Sequence, residues 1–170
     1  EKGKLLARVE RAARVTAEFL IEHTCADGIP MWDTGAPGLA QMDELYARPS
    51  QPRNPHEPVD SSAAAIAAQG YLRLAEYLRK KDKAAAQRYL QAGLLMARTL
   101  SSPPYLCEDP KHQGLILHSI YHRPNGWDYR PDPKLVPHGE SSLWGDYHAM
   151  ELAVMVLRMA EGKRPFRFFD

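Results

Sequence analysis

The sequence is short of most features that would announce a function on their own. It holds two cysteines, Cys25 and Cys107, too few for a disulfide framework and without the clustering of a thiolate metal site. A buried free thiol is expected at each place. Net charge is almost absent: 22 Lys and Arg face 21 Asp and Glu, a formal +1. No broad field therefore draws a polyanion, and neither nucleic acid nor a membrane is expected as a partner. There is no apolar run long enough to span a bilayer and no signal peptide ahead of the first amphipathic segment, which favours a cytoplasmic location. The chain opens inside what reads as a helix, the pattern of a piece of a longer protein. No short-period repeat is visible.

Proline, in contrast, is plentiful and organised. Of 14 prolines, six fall between Pro30 and Pro58, seven between Pro103 and Pro137, and the last is Pro165. Each ring removes an N–H and restricts the residue before it, so the two blocks exclude long helices from two stretches and mark them as ordered loops. The remaining composition, 44% hydrophobic and 25% charged over 170 residues, excludes disorder of the whole chain and sets one domain as the expected count.

Four helices are expected outside the proline blocks. Between Lys4 and Glu22 the apolar residues Leu5, Val9, Ala12, Ala13, Thr16, Phe19 and Leu20 recur at three- and four-residue steps. A second helix takes Asp60 and the following serines as its cap and runs to about Lys81, opening on a small-residue stretch over 63–68 that should be buried among neighbours. The third starts at once with Asp82 as cap and reaches about Leu100, with Ala86, Tyr89, Leu90, Leu94, Ala97 and Leu100 as its stripe. So short a connection predicts an antiparallel hairpin. The fourth begins at Ser141 or Ser142, carries Leu143, Tyr147, Met150, Leu152, Val154, Leu157 and Met159, and stops at Gly162 with Pro165 beyond. Within the loops, a short turn is expected over 41–46 and an extended segment over 115–121. The fold class is all-α, built of helical hairpins with two long loops.

The loops hold most of the side chains suited to chemistry. Trp32 beside Asp33 could offer a flat face for a sugar ring and a carboxylate for its hydroxyls, or could simply pack the loop while Asp33 closes a turn. Asp60, Ser61 and Ser62 read as a helix cap that also gathers donors. His118, Tyr121, His122, Arg123, Trp127, Asp128, Tyr129 and Arg130 lie within thirteen positions. That crowding of imidazole, phenol, indole and guanidinium suits recognition of a carboxylated sugar by charge, hydrogen bonding and stacking. His118 and His122 could face the same way on a strand, but no third ligand stands at the spacing of a zinc site, so neither a metal nor another cofactor is expected. Glu140, Trp144, Asp146 and Tyr147 cluster at the start of the fourth helix.

Trp32-Asp33 with Ala36-Pro37, the Asp60-Ser61-Ser62 run into small residues, Tyr121-His122-Arg123-Pro124-Asn125-Gly126, and Glu140-Ser141 followed by Trp144-Gly145-Asp146-Tyr147 and Glu151 together resemble the C-terminal part of the unsaturated glucuronyl hydrolases, glycoside hydrolase family 88. The resemblance implies an (α/α)6 barrel of helical hairpins, of which residues 1–170 would be a single-domain, incomplete C-terminal part. It also implies a reaction in which a carboxylic acid protonates the C4=C5 bond of an unsaturated uronic acid and activates water for addition at C5, releasing the rest of the oligosaccharide. The family's two essential aspartates belong to its N-terminal half and have no counterpart here, so no catalytic residue transfers, and Asp33, Asp60 and Asp146 inherit no acid/base role. What transfers is a supporting wall for the substrate: Trp32, Tyr121, His122, Glu140, Ser141 and Trp144. The expected partners are an unsaturated uronic-acid oligosaccharide and the protein's own N-terminal half, without which the chain is expected to be inactive. A non-catalytic carbohydrate-binding module and a relative of the unsaturated rhamnogalacturonyl hydrolases are the alternatives. An incomplete barrel is further expected to leave inner-helix surfaces, such as that of residues 63–68, without partners.

Overall fold

The computed structural model describes residues 1–164 and Phe166. Its helices are α1 (Lys2–Glu22), α2 (Ser61–Leu78), α3 (Lys83–Leu100) and α4 (Leu143–Ala160), joined by loops with three short 3-10 turns, at Pro37–Gln41, Leu45–Ala47 and Arg123–Asn125. No strand ladder forms among the described residues, only isolated bridges between Thr24 and Pro30, Met31 and Val59, and Leu106 and Ile116.

Local chemistry sets the helix starts. Asp60 accepts from the backbone N–H groups of Ser62 at 2.9 Å and Ala63 at 3.3 Å, Asp82 from Ala85 at 3.1 Å, and the Ser142 hydroxyl from Gly145 at 3.1 Å, so three of the four first turns have a side-chain acceptor for an otherwise open donor. Gly162, in the left-handed region at φ 68°, follows α4 as a C-terminal stop. Pro165 lies outside the described residues. The turn expected over 41–46 is present, as a turn at 43–44 that runs into the 3-10 turn Leu45–Ala47, with the 3-10 turn Pro37–Gln41 leading into it.

Cross-helix contacts fix the directions. Numbers rise together in Gln69–His148 and Arg73–Glu151, so α2 and α4 run parallel. They also rise together in Arg14–Asp82 and Glu18–Arg88, which aligns α1 with α3. Tyr71 reaches Ala17 and Tyr77 reaches Glu10, so α2 runs against α1. The main packing is of α2 against α3 and of α2 against α4, with the starts of α2 and α4 at one end beside the loops. Close approach depends on absent side chains. A Cβ on Gly93 would lie 2.9 Å from Leu72 on α2, and one on Gly145 would lie 2.7 Å from the Ser119 hydroxyl and 3.2 Å from Ser62.

The core gathers where the four helices meet. Leu72, Leu78, Tyr89 and Met96 are buried, each contributing about 1.5–3 kcal/mol by leaving water. One side of the small-residue stretch of α2 is buried among neighbours as expected, with Ala64, Ala65 and Ala68 each 0% exposed, while Ile66 on its other side is 46% exposed and Ala63 and Ala67 are half-buried, so part of this surface is left without a partner. More open apolar surface lies on α1 and α4. On α1 the stripe of Leu5, Val9 and Phe19 is exposed, Ala17 is the buried residue, and residues 1–9 are all exposed. On α4 the stripe of Leu143, Tyr147, Met150, Val154 and Leu157 faces outward, and the buried line is Gly145, Ala149, Leu152 and Met155. Both helices carry apolar residues on more than one face, and periodicity does not say which face the core takes. Leu94 is likewise exposed, and Gly93 takes the core position. Cys25 is buried as expected and its thiol is pushed up to about 12 by burial, whereas Cys107 is half-buried.

Candidate functional site

The second proline-rich loop and the start of α4 enclose a pocket of about 280 Å³ lined by Ser119, Tyr121, Trp127, Asp128, Tyr129 and Glu140, with Ser141, Ser142 and Trp144 completing it. Its aromatic wall is a continuous cluster. The Tyr121 ring lies 5.7 Å from Trp127 and 5.5 Å from Trp144, within the range of favourable offset contacts. Tyr121, Trp127 and Tyr129 are each more than half exposed, an arrangement that presents ring faces to a ligand instead of to the core.

This wall is held by hydrogen bonds from behind. The Asp128 carboxylate accepts from the backbone N–H groups of both Tyr121 and His122, which closes the loop on itself and fixes the Tyr121 backbone. Gly126, at φ 65°, lets the chain turn between them. The Trp144 indole N–H donates to the Ser62 hydroxyl at 3.1 Å, and that hydroxyl donates to Asp60 at 2.6 Å. The starts of α4 and α2 are thereby tied together. Burial pushes the Asp60 carboxyl up, against the lowering effect of its bonds to Ser62 and Ala63. Asp146 accepts from Ile116 N–H at 3.0 Å, and Ser119 N–H donates to the Glu140 carbonyl at 3.0 Å.

Of the six residues read from the sequence as a substrate wall, Tyr121, Glu140, Ser141 and Trp144 line the pocket together. The other two do not. His122 is exposed, its ring 5.1 Å from Trp127 on the flank of the cluster, where its Nδ1 accepts from Asn125 N–H at 3.2 Å and caps the 3-10 turn. Trp32 is half-buried in the first loop, where its indole N–H donates to Glu57 at 2.8 Å. Glu57, itself buried, also accepts from Gly38 N–H at 2.9 Å, so this Trp packs its loop. Asp33 accepts from Gly35 N–H at 2.7 Å and closes a turn. His118 and His122 do not converge: the first is buried and the second exposed. No group of three His, Cys, Asp or Glu gathers in metal-binding proximity among the described residues, and no described helix is long and apolar enough to cross a membrane.

The extended segment expected over 115–121 forms no ladder. Its backbone donors go one at a time to different elements: Ile116 to Asp146, Leu117 to the Tyr105 carbonyl, Ser119 to the Glu140 carbonyl. Arg123 and Arg130 do not line the pocket, and no lysine or arginine stands among its described lining residues. Arg130 donates instead to the carbonyls of Leu135 and Pro133. Trp127 and Tyr129, which the sequence offers within the crowded stretch, line the pocket, whereas Ser119 and Glu57 are not singled out by the sequence, Glu57 because its partner Trp32 is too distant to reveal the pairing.

Comparison with known proteins places this geometry. No family model matches the chain. The curated "Unsaturated glucuronyl hydrolase" of Bacillus sp. (strain GL1) is 29% identical over 154 residues, covering 91% of this chain and 34% of that protein. The crystal structure of unsaturated glucuronyl hydrolase, responsible for the degradation of glycosaminoglycan, from Bacillus sp. GL1 superimposes with a TM-score of 0.65 at 27% identity, covering 92% of this chain and 34% of that one. A structure of a UGL variant with dGlcA-Glc-Rha-Glc gives a TM-score of 0.64 at the same identity and coverage. The chain spans about a third of the length of the relatives it matches. Its hairpins correspond to part of the (α/α)6 barrel. Sequence and structure agree that the chain is similar, over nearly all of its own length, to about a third of unsaturated glucuronyl hydrolase, which supports a glycoside hydrolase-like protein.

Proposed function

We propose that residues 1–170 are the C-terminal portion of a barrel domain that acts on unsaturated uronic-acid oligosaccharides by hydration of the C4=C5 bond, and that this portion supplies a substrate-binding wall without supplying the acid. The observation that carries this reading is the convergence of Tyr121, Glu140, Ser141 and Trp144 on one aromatic, hydroxyl-rich pocket. Ring faces stack against the apolar face of a sugar, and serine hydroxyls and a carboxylate meet its hydroxyls. With no cation among its lining residues, the pocket suits a neutral ring of the oligosaccharide better than the uronate carboxylate, which the rest of the barrel would have to hold.

Asp33, Asp60, Asp128 and Asp146 are each engaged in bonds that shape backbone. General acid catalysis needs a carboxyl within reach of the reacting atom and available to give up its proton, so these four do not fill that role. Among the described residues, Glu140 is the pocket carboxylate whose side chain has no hydrogen bond or ion pair in the fold, and its role here is to accept from substrate hydroxyls. The acid and the activated water come from a part of the protein that this chain does not supply.

The test is a pair of measurements on an unsaturated chondroitin disaccharide. The 170-residue chain alone should leave the absorbance of the conjugated double bond unchanged while binding the sugar saturably. Measurable turnover would overturn the inactive reading, and absence of binding would overturn the sugar-wall reading. The structural engagement of the four aspartates equally favours a second reading, a non-catalytic carbohydrate-binding module. The two differ when an aspartate-bearing N-terminal portion is added in trans: the hydrolase portion gains turnover, and the module does not.

A further inference from the structure

We propose that His118 is the positioning residue of this pocket, the residue whose ring and backbone carbonyl together hold the two lining segments, 119–121 and 140–142, in register against the start of α2. The proposal rests on the sugar-wall reading for its functional meaning, and on backbone geometry for its substance. His118 is 3% exposed and sits in the left-handed region at φ 69°, a conformation uncommon for a residue with a Cβ and tolerated best by Asn, Asp and His. That twist sends its two acceptors in different directions. The carbonyl accepts from Ser61 N–H at 3.1 Å, at the first residue of α2, and the ring Nδ1 accepts from Gly139 N–H at 3.0 Å, one residue before Glu140. The next rung follows directly, Ser119 N–H to the Glu140 carbonyl at 3.0 Å, and the Ser119 hydroxyl stands 3.2 Å from that of Ser61. Three separate stretches of chain thus meet at His118, residues 139–142 at its ring and the start of α2 at its backbone carbonyl, and two of them carry pocket residues.

The ring must be neutral to do this. An Nδ1 that accepts from an amide carries no proton, so the ring proton sits on Nε2, on the side of the Pro104 backbone. Protonating Nδ1 would set N–H against N–H at Gly139. The groups facing the ring are Tyr105 edge-on at 5.6 Å, His138 stacked at 6.4 Å, and the more distant Arg53. Burial holds the imidazole down to about 4, with the charges of His138 and Arg53 adding to that effect and the Pro104 backbone opposing it.

The experiment compares wild type, His118→Ala and His118→Asn in the full 170-residue chain. Asparagine tolerates the left-handed backbone, places an oxygen near the position of Nδ1, and cannot titrate. Two readouts are taken: tryptophan fluorescence on titration with dGlcA-Glc-Rha-Glc from about pH 7 to about pH 4, and amide hydrogen exchange without sugar. The alanine variant should weaken binding by about tenfold or more and speed exchange at Gly139 and Ser61. The asparagine variant should bind within about threefold of wild type and lose less affinity toward about pH 4 than wild type does. If alanine does not fold, the pH profile and exchange of the asparagine variant decide. Unchanged exchange at Gly139 in the alanine variant, or an acid limb as deep in the asparagine variant as in wild type, overturns the proposal. Faster exchange at Gly139 and Ser61 in a chain that binds no sugar supports the positioning role and sinks the sugar-wall reading alone.

Discussion

At the loop end, polar groups are buried and partnered. Glu57, Ser61, Ser62, His118, Ser119 and His138 are buried, and no buried side-chain nitrogen or oxygen among the described residues lacks a hydrogen-bond partner. Along the outward faces of α1 and α4 the situation is reversed: Leu5 is 63% exposed and Leu143 is 86% exposed, apolar side chains with nothing packed on them. Buried polar groups are costly unless every member is satisfied, so the loop end specifies its own shape. Exposed apolar stripes specify only that something apolar should cover them. The pocket's architecture is therefore internal to this chain, whereas the helical faces are left open for neighbours.

Four perturbations sharpen this contrast, from the largest effect downward. Leu72→Ala, in the core that both regions share, should cost about 2–5 kcal/mol in urea melts through the cavity it leaves. An effect below about 1 kcal/mol would mean the α2–α3 interface is looser than the Gly93 approach indicates.

Acid should act chiefly on the loop end. His118 has a folded pKa near 4 against an ordinary 6.5, so as pH falls through about 6.5 the unfolded chain takes up a proton that the folded chain refuses. The His118 contribution should therefore lower stability progressively from about pH 6.5 to about pH 4 and level off below, by up to about 3 kcal/mol in all. The difference between wild type and His118→Asn in melts across that range isolates it, and parallel pH dependences would contradict it.

A smaller loss is expected from Glu57→Gln. The amide keeps one acceptor for the Trp32 indole or Gly38 N–H but not both, a cost of about 1 kcal/mol, read as a lowered melting temperature with pocket binding retained. Smallest of all, Leu143→Ala on the open face of α4 should change stability by less than about 0.5 kcal/mol. A larger loss would show that this face is covered in solution.

The contrast also explains what could be read from sequence. Caps are local, and Asp60, Asp82, Ser142 and Gly162 stand where the residues place them, because a side-chain oxygen and the N–H groups it serves lie within a few positions. The hairpin at Asp82 and the all-helical class follow from the same reasoning. The side of α1 or α4 facing the core was not legible, since Leu143 and Leu152 belong to equally regular stripes and only tertiary contact chooses between them. Within the site, the crowding of Tyr121 through Tyr129 and the motif at Glu140 to Trp144 gave the pocket, while the pairing of Trp32 with Glu57 spans 25 positions and left no periodic trace. His118 was visible as a histidine but not as a hub, because its role depends on a left-handed backbone angle.

The most direct test of the central claim, that this chain carries a self-contained sugar wall, is calorimetric titration of dGlcA-Glc-Rha-Glc into wild type and Tyr121→Ala. The account predicts saturable binding in wild type and a loss of about tenfold in affinity in the variant. Equal affinities in the two proteins, or no heat of binding in wild type, would contradict it.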